Sequence, residues 1–464
     1  MRIRLRLGSP RRLLGFRQMT EWETTRLADL IDIQHGYAFK GEYFTDRKTN
    51  DVLVTPGNFS IGGGFQLTKP KYYDGPVPEG YVLQPGDVIV TMTDLSKQAD
   101  TLGYSAFVPA SQVRFLHNQR VGKVALKDKG THLPFIAWLM RTRDYRNAIV
   151  GSATGSTVKH TSPGRILAYR FKLPPLNTQI VIADTLSAFD DKIALNRAVN
   201  ETLEGMAQTI FRDWLVDFGP VRRKMAGITD PQALLGGLIL DHASAAQIVR
   251  MFPDRLDDDG LPAGWQKAPL SSFVSIVGGG TPKTSIEAYW GGDIPWFSVA
   301  DTPAGSDIFV FQTEKTITQT GLETSAARLV SEGTTIISAR GTVGNLALVG
   351  RRMTFNQSCY GLTPSTGEYP YLTYLLAASL VSSLKGMAHG SVFATITRKT
   401  FDNAMFVRPD ASVFDLLERM MAPLFERVAA AVQENRTLAE ARDYLLPRLM
   451  SGEVCVADAK TVIA

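Results

Sequence analysis

The chain is written twice, and that duplication limits its folds more than any compositional average. Trp22, Leu27 and Ile33 recur as Trp265, Leu270 and Ile276, 243 residues further on. The strand-like run Gly86–Thr91 recurs as Gly333–Ser338, and Asn118-Gln119 as Asn356-Gln357 at an offset of 238. Gly155-Ser156, Phe171, Pro174 and Asn200 then recur as Gly390-Ser391, Phe406, Pro409 and Asn435, all at 235. Features in one order with a slowly drifting offset mark an internal repeat, so each copy must form the same unit.

Within each copy the pattern changes partway. Residues 20–170 mix β-branched runs, Asp87–Thr91 and Val121–Leu126, with Gly- and Pro-rich turns and a helical stretch over Leu133–Ile149. Residues 262–408 repeat that mixture, with Leu372–Lys385 as the matching helix. The expected class is therefore α/β (α+β) for two globular copies. After Pro174-Pro175 a heptad seam begins: Leu186, Ile193, Asn200, Ala207 and Trp214, interleaved with Phe189, Asn196, Leu203 and Ile210. The second copy supplies Met421, Val428, Asn435, Arg442 and Leu449, with Leu424, Ala431, Leu438 and Leu445. Each seam predicts a helix of about 40 residues and about 60 Å. One such helix cannot bury its own stripe, so the pair is expected to form an antiparallel coiled coil with a pseudo-twofold repeat. Asn200 and Asn435 share a seam position, where a polar side chain sets register at a cost in stability. Capping a bend or facing solvent is the competing role for each.

With 464 residues and 44% hydrophobic content, the chain has room for about two to four domains with real cores. It has no run of about 18 apolar residues, so no membrane span is expected. Cys359 and Cys455 are its two cysteines; with no CxxC pair, a disulfide framework is excluded and a reducing cytoplasm fits. The net charge of +5 is misleading, because residues 1–18 carry six arginines and no acid. That basic leader lacks a secretion signal's apolar core. It is an organelle-type leader, a nucleic-acid arm or an upstream start artefact with Met19 the real first residue; the last is favoured, since patterned sequence begins at Trp22. The remaining segments alternate: net +4 over 20–170, −4 over 171–261, +2 over 262–408 and −3 over 409–464.

Catalytic signatures do not emerge. Gly278-Gly279-Gly280-Thr281-Pro282-Lys283-Thr284 resembles a phosphate loop, but proline stands before the lysine and removes a donor, so a structural turn is expected. The six histidines show no ligand spacing, so no metal site is expected. There is no GxSxG elbow. Leu173-Pro174-Pro175-Leu176 lacks the polar and aromatic residues of a base-methylating loop.

Several segments together resemble the specificity subunit of type I restriction–modification systems. Leu173-Pro-Pro-Leu-Asn-Thr-Gln179 opens the first heptad helix, and Ile210-Phe-Arg-Asp-Trp-Leu-Val-Asp-Phe218 with Gly219-Pro-Val-Arg-Arg-Lys224 closes it. Met251-Phe-Pro-Asp-Arg-Leu256 leads to Leu261-Pro-Ala-Gly-Trp265 and then Gly279-Gly-Thr-Pro282, and Leu445-Leu-Pro-Arg-Leu-Met-Ser-Gly-Glu-Val454 ends the match. The resemblance spans residue 19 to about 456. It implies target-recognition domains at 19–171 and 262–408, a central helical spacer and linker at 172–261, and a C-terminal helical spacer at 409–464. Each domain would read half of a bipartite duplex target, and the chain itself would be non-catalytic. The helices would dock two methyltransferase subunits, and through them up to two restriction (nuclease/translocase) subunits. S-adenosylmethionine, ATP and Mg²⁺ would belong to those partners. Docking is assigned to the helices and not to Arg212, Trp214, Phe218, Arg448 or Leu449 singly, since Trp214 and Leu449 are also seam residues.

Candidate DNA contacts are the polar residues of loops that recur in both copies. They are Lys40, Lys97, Ser156, Thr157, Lys159 and His160 in the first, and Lys283, Arg340, Thr342, Ser391 and Thr395 in the second. Arginine can grip guanine bidentately, and Ser, Thr and Lys donate to phosphates or bases. An ordinary Gly-Ser turn, or a surface ion pair for Arg340, is the plainer role. Asn118-Gln119 and Asn356-Gln357 would suit adenine, yet their recurrence equally suits a shared turn. The alternative to DNA recognition is a non-catalytic repeat scaffold that binds proteins.

Overall fold

The computed structural model describes residues 22–96, 98–365, 368–387 and 395–454. The chain divides into two compact units, residues 1–191 with 438–464, and residues 192–437. Among the described residues no helix is long and apolar enough to cross a membrane.

In the first unit Glu23–Arg26 pairs antiparallel with Arg170–Leu173, clasping the globular domain's entry and exit strands. A four-stranded sheet runs in the order Ile31–His35, Val121–Leu126, Val88–Thr91, Ser105–Phe107. Ile31–His35 lies at its edge, with Ile31 and Ile33 buried and Asp32 and Gln34 exposed, the alternation of a one-sided strand. Val88–Thr91, inside the sheet, is buried at every residue. A five-stranded sheet, ordered Phe44–Thr45, Lys71–Tyr73, Asp51–Val54, Arg114–His117, Val82–Leu83, completes the domain.

The second unit repeats this plan. Gln266–Pro269 pairs with Met405–Arg408, Gln266 opposite Arg408 as Glu23 is opposite Leu173. Its main sheet keeps the order Val274–Gly278, Cys359–Pro364, Thr335–Ser338, Leu346–Val349, and adds Phe309–Val310 at the edge. The copies diverge in the companion sheet, which here has three strands, Lys315–Ile317, Trp290–Phe297 and Thr354–Phe355. The helical stretch expected over Leu133–Ile149 is two helices, Leu133–Leu139 and Arg143–Gly151. Thr142 breaks it: its hydroxyl donates to Leu139 O and accepts from Tyr145 N, ending one helix and capping the next.

The two heptad segments are helices Leu176–Leu215 and Ala411–Ser451, each giving one stretch to each unit. In the first unit Leu186 and Phe189 share a core with Leu445 and Leu449, against which Leu438 also packs. In the second, Ala207, Ile210 and Trp214 share a core with Met421 and Val428, flanked by Leu203 and Leu424. Later residues of one helix meet earlier residues of the other, so the packing is antiparallel. Ile193 and Ala431 are buried as well.

Polar residues interrupt this seam in an ordered way. Asn196 Nδ2 donates to Asn435 Oδ1 at 2.9 Å and to Glu434 Oε2 at 2.8 Å. Asn200 is wholly buried, and neither amide atom has a hydrogen-bond partner. In the first unit Arg442 donates to Asp190 Oδ1 at 2.5 Å, while Arg141 from the globular domain donates to Asp190 Oδ2 at 2.7 Å. The Arg141 side chain is 4% exposed, lies 4.0 Å over the Trp138 ring, and also donates to Gly62 O. One carboxylate thus ties both long helices to the first domain.

Residues 216–261, expected as spacer and linker, pack as part of the second unit. They form short helices at Gly219–Met225, Pro231–Leu234 and His242–Val249. Phe218, Val221, Leu235, Ala245 and Phe252 bury in the same core as Trp214 and Trp265. Trp214, placed on the seam by its spacing, meets Phe252 edge-on at 5.0 Å.

Candidate nucleic-acid interface

In each domain the main sheet has one end where the variable loops leave it. In the first, Gly122 lies opposite His35, and Val121 opposite Thr91. The segment after His35, the turn before Val121 and the hairpin loop after Thr91 therefore emerge together. Tyr37 N donates to His117 O, Gln119 N to Tyr37 O and Met92 N to Arg120 O. The second domain repeats the first and third of these bonds, as Gly280 N to Phe355 O and Ala339 N to Ser358 O.

Glycine makes this junction possible. A Cβ on Gly36 would lie 2.2 Å from Asn118 O, and one on Gly279 2.0 Å from Asn356 O. A Cβ on Gly280 would lie 2.2 Å from Ala326 C. The Gly-rich run is thus a close-packed segment leaving strand Val274–Gly278 rather than the expected turn, and Trp296 Nε1 donates to Gly280 O at 2.9 Å beneath it. The paired Asn-Gln motifs are equivalent Asx turns, Asn118 Oδ1 accepting from Arg120 N and Asn356 Oδ1 from Ser358 N. Their asparagines are spent on backbone, which accounts for their recurrence; Gln119 and Gln357 remain exposed.

The Gly-Ser loop reaches the same end. Lys159–His160 pairs antiparallel with Thr93–Asp94, and Thr161 N donates to Met92 O. In the second domain Ile396 N donates to Ala339 O, the corresponding bond. Gly155 has φ +97° and a Cβ there would lie 1.9 Å from Val158 O, so the loop folds tightly and leaves Ser156 and Thr157 exposed. His160 is exposed, with Nδ1 3.2 Å from Thr93 Oγ1, and Lys159 is half-buried.

Of the remaining candidates, Arg340 and Thr342 are exposed on the hairpin turn between Thr335–Ser338 and Leu346–Val349. Ser338 Oγ shapes that turn, donating to Thr342 O and accepting from Asn345 N. Thr395 is exposed beside Ile396. Lys40 and Lys283 are exposed in the segments after Gly36 and Gly279, and Lys40 lies 3.7 Å from Glu42. Lys97, Ser391 and the leader 1–18 lie outside the described residues. Sequence spacing alone overlooked Arg120, Leu95 and Gln98, exposed on the same end of the first domain. Their signal was available: Leu95 lies within Thr91–Lys97, the stretch equivalent to the Arg340 turn, Gln98 follows that stretch, and Arg120 follows Asn118-Gln119.

A family model for the type I restriction modification DNA specificity domain matches residues 19–205 and 262–410. The specificity subunit of the type I restriction enzyme HindI from Haemophilus influenzae is 27% identical over 347 residues, 68% of this chain and 75% of that protein. That of EcoBI from Escherichia coli is 28% identical over 191 residues, 41% of this chain and 36% of the other. The crystal structure of a type I restriction–modification S subunit from M. genitalium superposes with a TM-score of 0.51 at 14% identity, covering 94% of this chain and 98% of that one. That last likeness is one of fold. The chain belongs to the type I restriction–modification DNA specificity family, as a specificity subunit that carries the DNA-recognition domain twice.

Proposed function

We propose that each globular domain, 19–171 and 262–408, reads one half of a bipartite duplex target with the loop-bearing end of its main sheet. The observation that carries this reading is the repeated junction: identical backbone bonds in both copies support loops of different length and sequence. A shared scaffold with divergent loops is what two different half-sites require, because phosphate contacts position a reader while base contacts specify. On this reading Lys40, Ser156, Thr157, Lys159, His160, Lys283, Thr342 and Thr395 position the duplex, with Lys97 and Ser391. Arg340 reads guanine through a bidentate contact. The antiparallel helices hold the two readers and dock two methyltransferase subunits, to which up to two restriction subunits add. The chain works in the cytoplasm and does no chemistry itself; S-adenosylmethionine, ATP and Mg²⁺ are used by its partners.

The test is co-expression with the methyltransferase of the same system, followed by genome-wide mapping of methylated adenines. A split motif, two defined halves around a fixed gap, is expected, and Arg340→Ala relaxes one half alone. A verified complex that adds no new methylation refutes the reading.

A further inference from the structure

The hairpin loop of the first domain, residues 92–104, is nearly twice as long as its counterpart at 339–345. Long surface loops are ordinarily mobile, but this one is clamped. Asp94 is 4% exposed and spends both carboxylate oxygens inside the loop. One accepts from Ser96 N at 2.6 Å; the other accepts from Thr101 N at 2.5 Å and Thr101 Oγ1 at 2.6 Å, joining the two limbs. Backbone pairing of Thr93–Asp94 with Lys159–His160 fixes one side. From below, the Arg146 guanidinium donates to the carbonyls of Ala99 and Leu102 and lies 4.5 Å from the centre of the Tyr104 ring. Ala99 and Leu102 are buried, while the tip presents Leu95, 65% exposed, and exposed Gln98.

We propose that Leu95 and Gln98 are specificity-determining residues for the half-site of the first domain, and that Asp94 and Arg146 are positioning residues that hold them rigid. This rests on the reading that the loop-bearing sheet end faces DNA. In the major groove, glutamine matches the N7 acceptor and N6 donor of adenine, and an apolar side chain finds a partner in the thymine methyl. Leu95 and Gln98, on either side of Lys97, thus offer an apolar contact and an amide contact suited to A·T pairs. Arg340, at the same topological place in the second domain, is built for guanine. Clamping matters because a loop already ordered loses less freedom on binding. Base discrimination also needs the amide held within hydrogen-bond reach.

Methylation mapping of the full-length chain in its methyltransferase complex tests this, with Arg340→Ala identifying the half read by the second domain. In the other half, Gln98→Ala is expected to lower discrimination at one A·T position by roughly five- to hundred-fold, and Leu95→Ala to relax an adjacent position. Both side chains are exposed, so thermal stability stays at the wild-type level. Asp94→Ala should blur the whole half-site, and Asp94→Asn, which keeps one acceptor but turns its Nδ2 toward the N–H on the other limb, should recover only part of it. An unchanged motif in both Gln98→Ala and Leu95→Ala overturns the assignment, as does a change confined to the half altered by Arg340→Ala. A wild-type complex without a split motif removes the underlying reading and this inference with it.

Discussion

Replacing Glu418 by glutamine probes the joint between the second long helix and the second domain. Glu418 is 9% exposed and accepts from the backbone N–H groups of Tyr371 and Leu372, at 3.0 and 2.9 Å, in the first turn of helix Pro370–Met387. Burial pushes its pKa from 4.5 up to about 7, against the pull of those two donors. Tyr369 and Tyr371 face it from the domain, and Asp415, bonded to Tyr369, lies one turn away on its own helix. Because the folded-state pKa is the higher one, the joint is fully stable below the unfolded value and weakens as pH rises through about 7. At about 1.4 kcal/mol per pKa unit, ionisation costs about 3 kcal/mol. Glutamine cannot ionise, but it keeps one acceptor and turns Nε2 toward the other N–H. Urea unfolding of Glu418→Gln should fall below wild type near about pH 5, by about 1–3 kcal/mol for the N–H left without an acceptor, and should gain up to about 3 kcal/mol relative to wild type between about pH 5 and about pH 8. Hydrogen exchange at Tyr371 and Leu372 localises the effect. A difference from wild type that stays flat or turns more unfavourable between about pH 5 and about pH 8 would show that the ionised carboxylate is a net cap on the helix terminus, reversing the sign.

Other contacts give equally definite outcomes. Arg141→Ala removes a buried cation that bridges Asp190, Gly62 and the Trp138 face; it should cost about 3 kcal/mol in urea unfolding, and Arg141→Lys, lacking the planar fork, should recover little of that. Asn435→Leu leaves the Asn196 amide partly unsatisfied, a loss of about 1–3 kcal/mol, whereas the double variant with Asn196→Leu removes both partners and should recover most of it. Gly279→Ala drives a Cβ against Asn356 O, so calorimetry should show a clear loss in transition temperature. Gly278→Ala, whose Cβ meets nothing within 4 Å, should show little.

Local pattern alone determined the duplication, the mixed α/β character and the long helices, because each is written in residue spacing. Val121–Leu126 is a strand, as its reading as a β-branched run between turns predicts, and the helix after Pro175 starts at Leu176. A heptad also implies a partner, since an apolar stripe must be covered by something. Spacing does not record which side chains meet across the seam. Asn200 and Asn435 are equivalent in sequence, yet the pair that bonds is Asn196 with Asn435. Antiparallel packing shifts the register of contact away from the register of repetition. Residues 216–261 carry linker composition but bury Phe218, Val221 and Phe252 in a core with Trp214 and Trp265. Polar sequence signals cannot reveal that cover. The loop-bearing end of the main sheet is divided in the same way. Its recurring Gly-Ser and Asn-Gln motifs were legible in the chain, but their convergence was not. Strand pairing made Asn118 and Asn356 into turns and lifted Arg120, Leu95 and Gln98 to the end of the first sheet. Such neighbours are distant in sequence and adjacent through the hydrogen-bonded order of the strands, which tertiary structure alone decides.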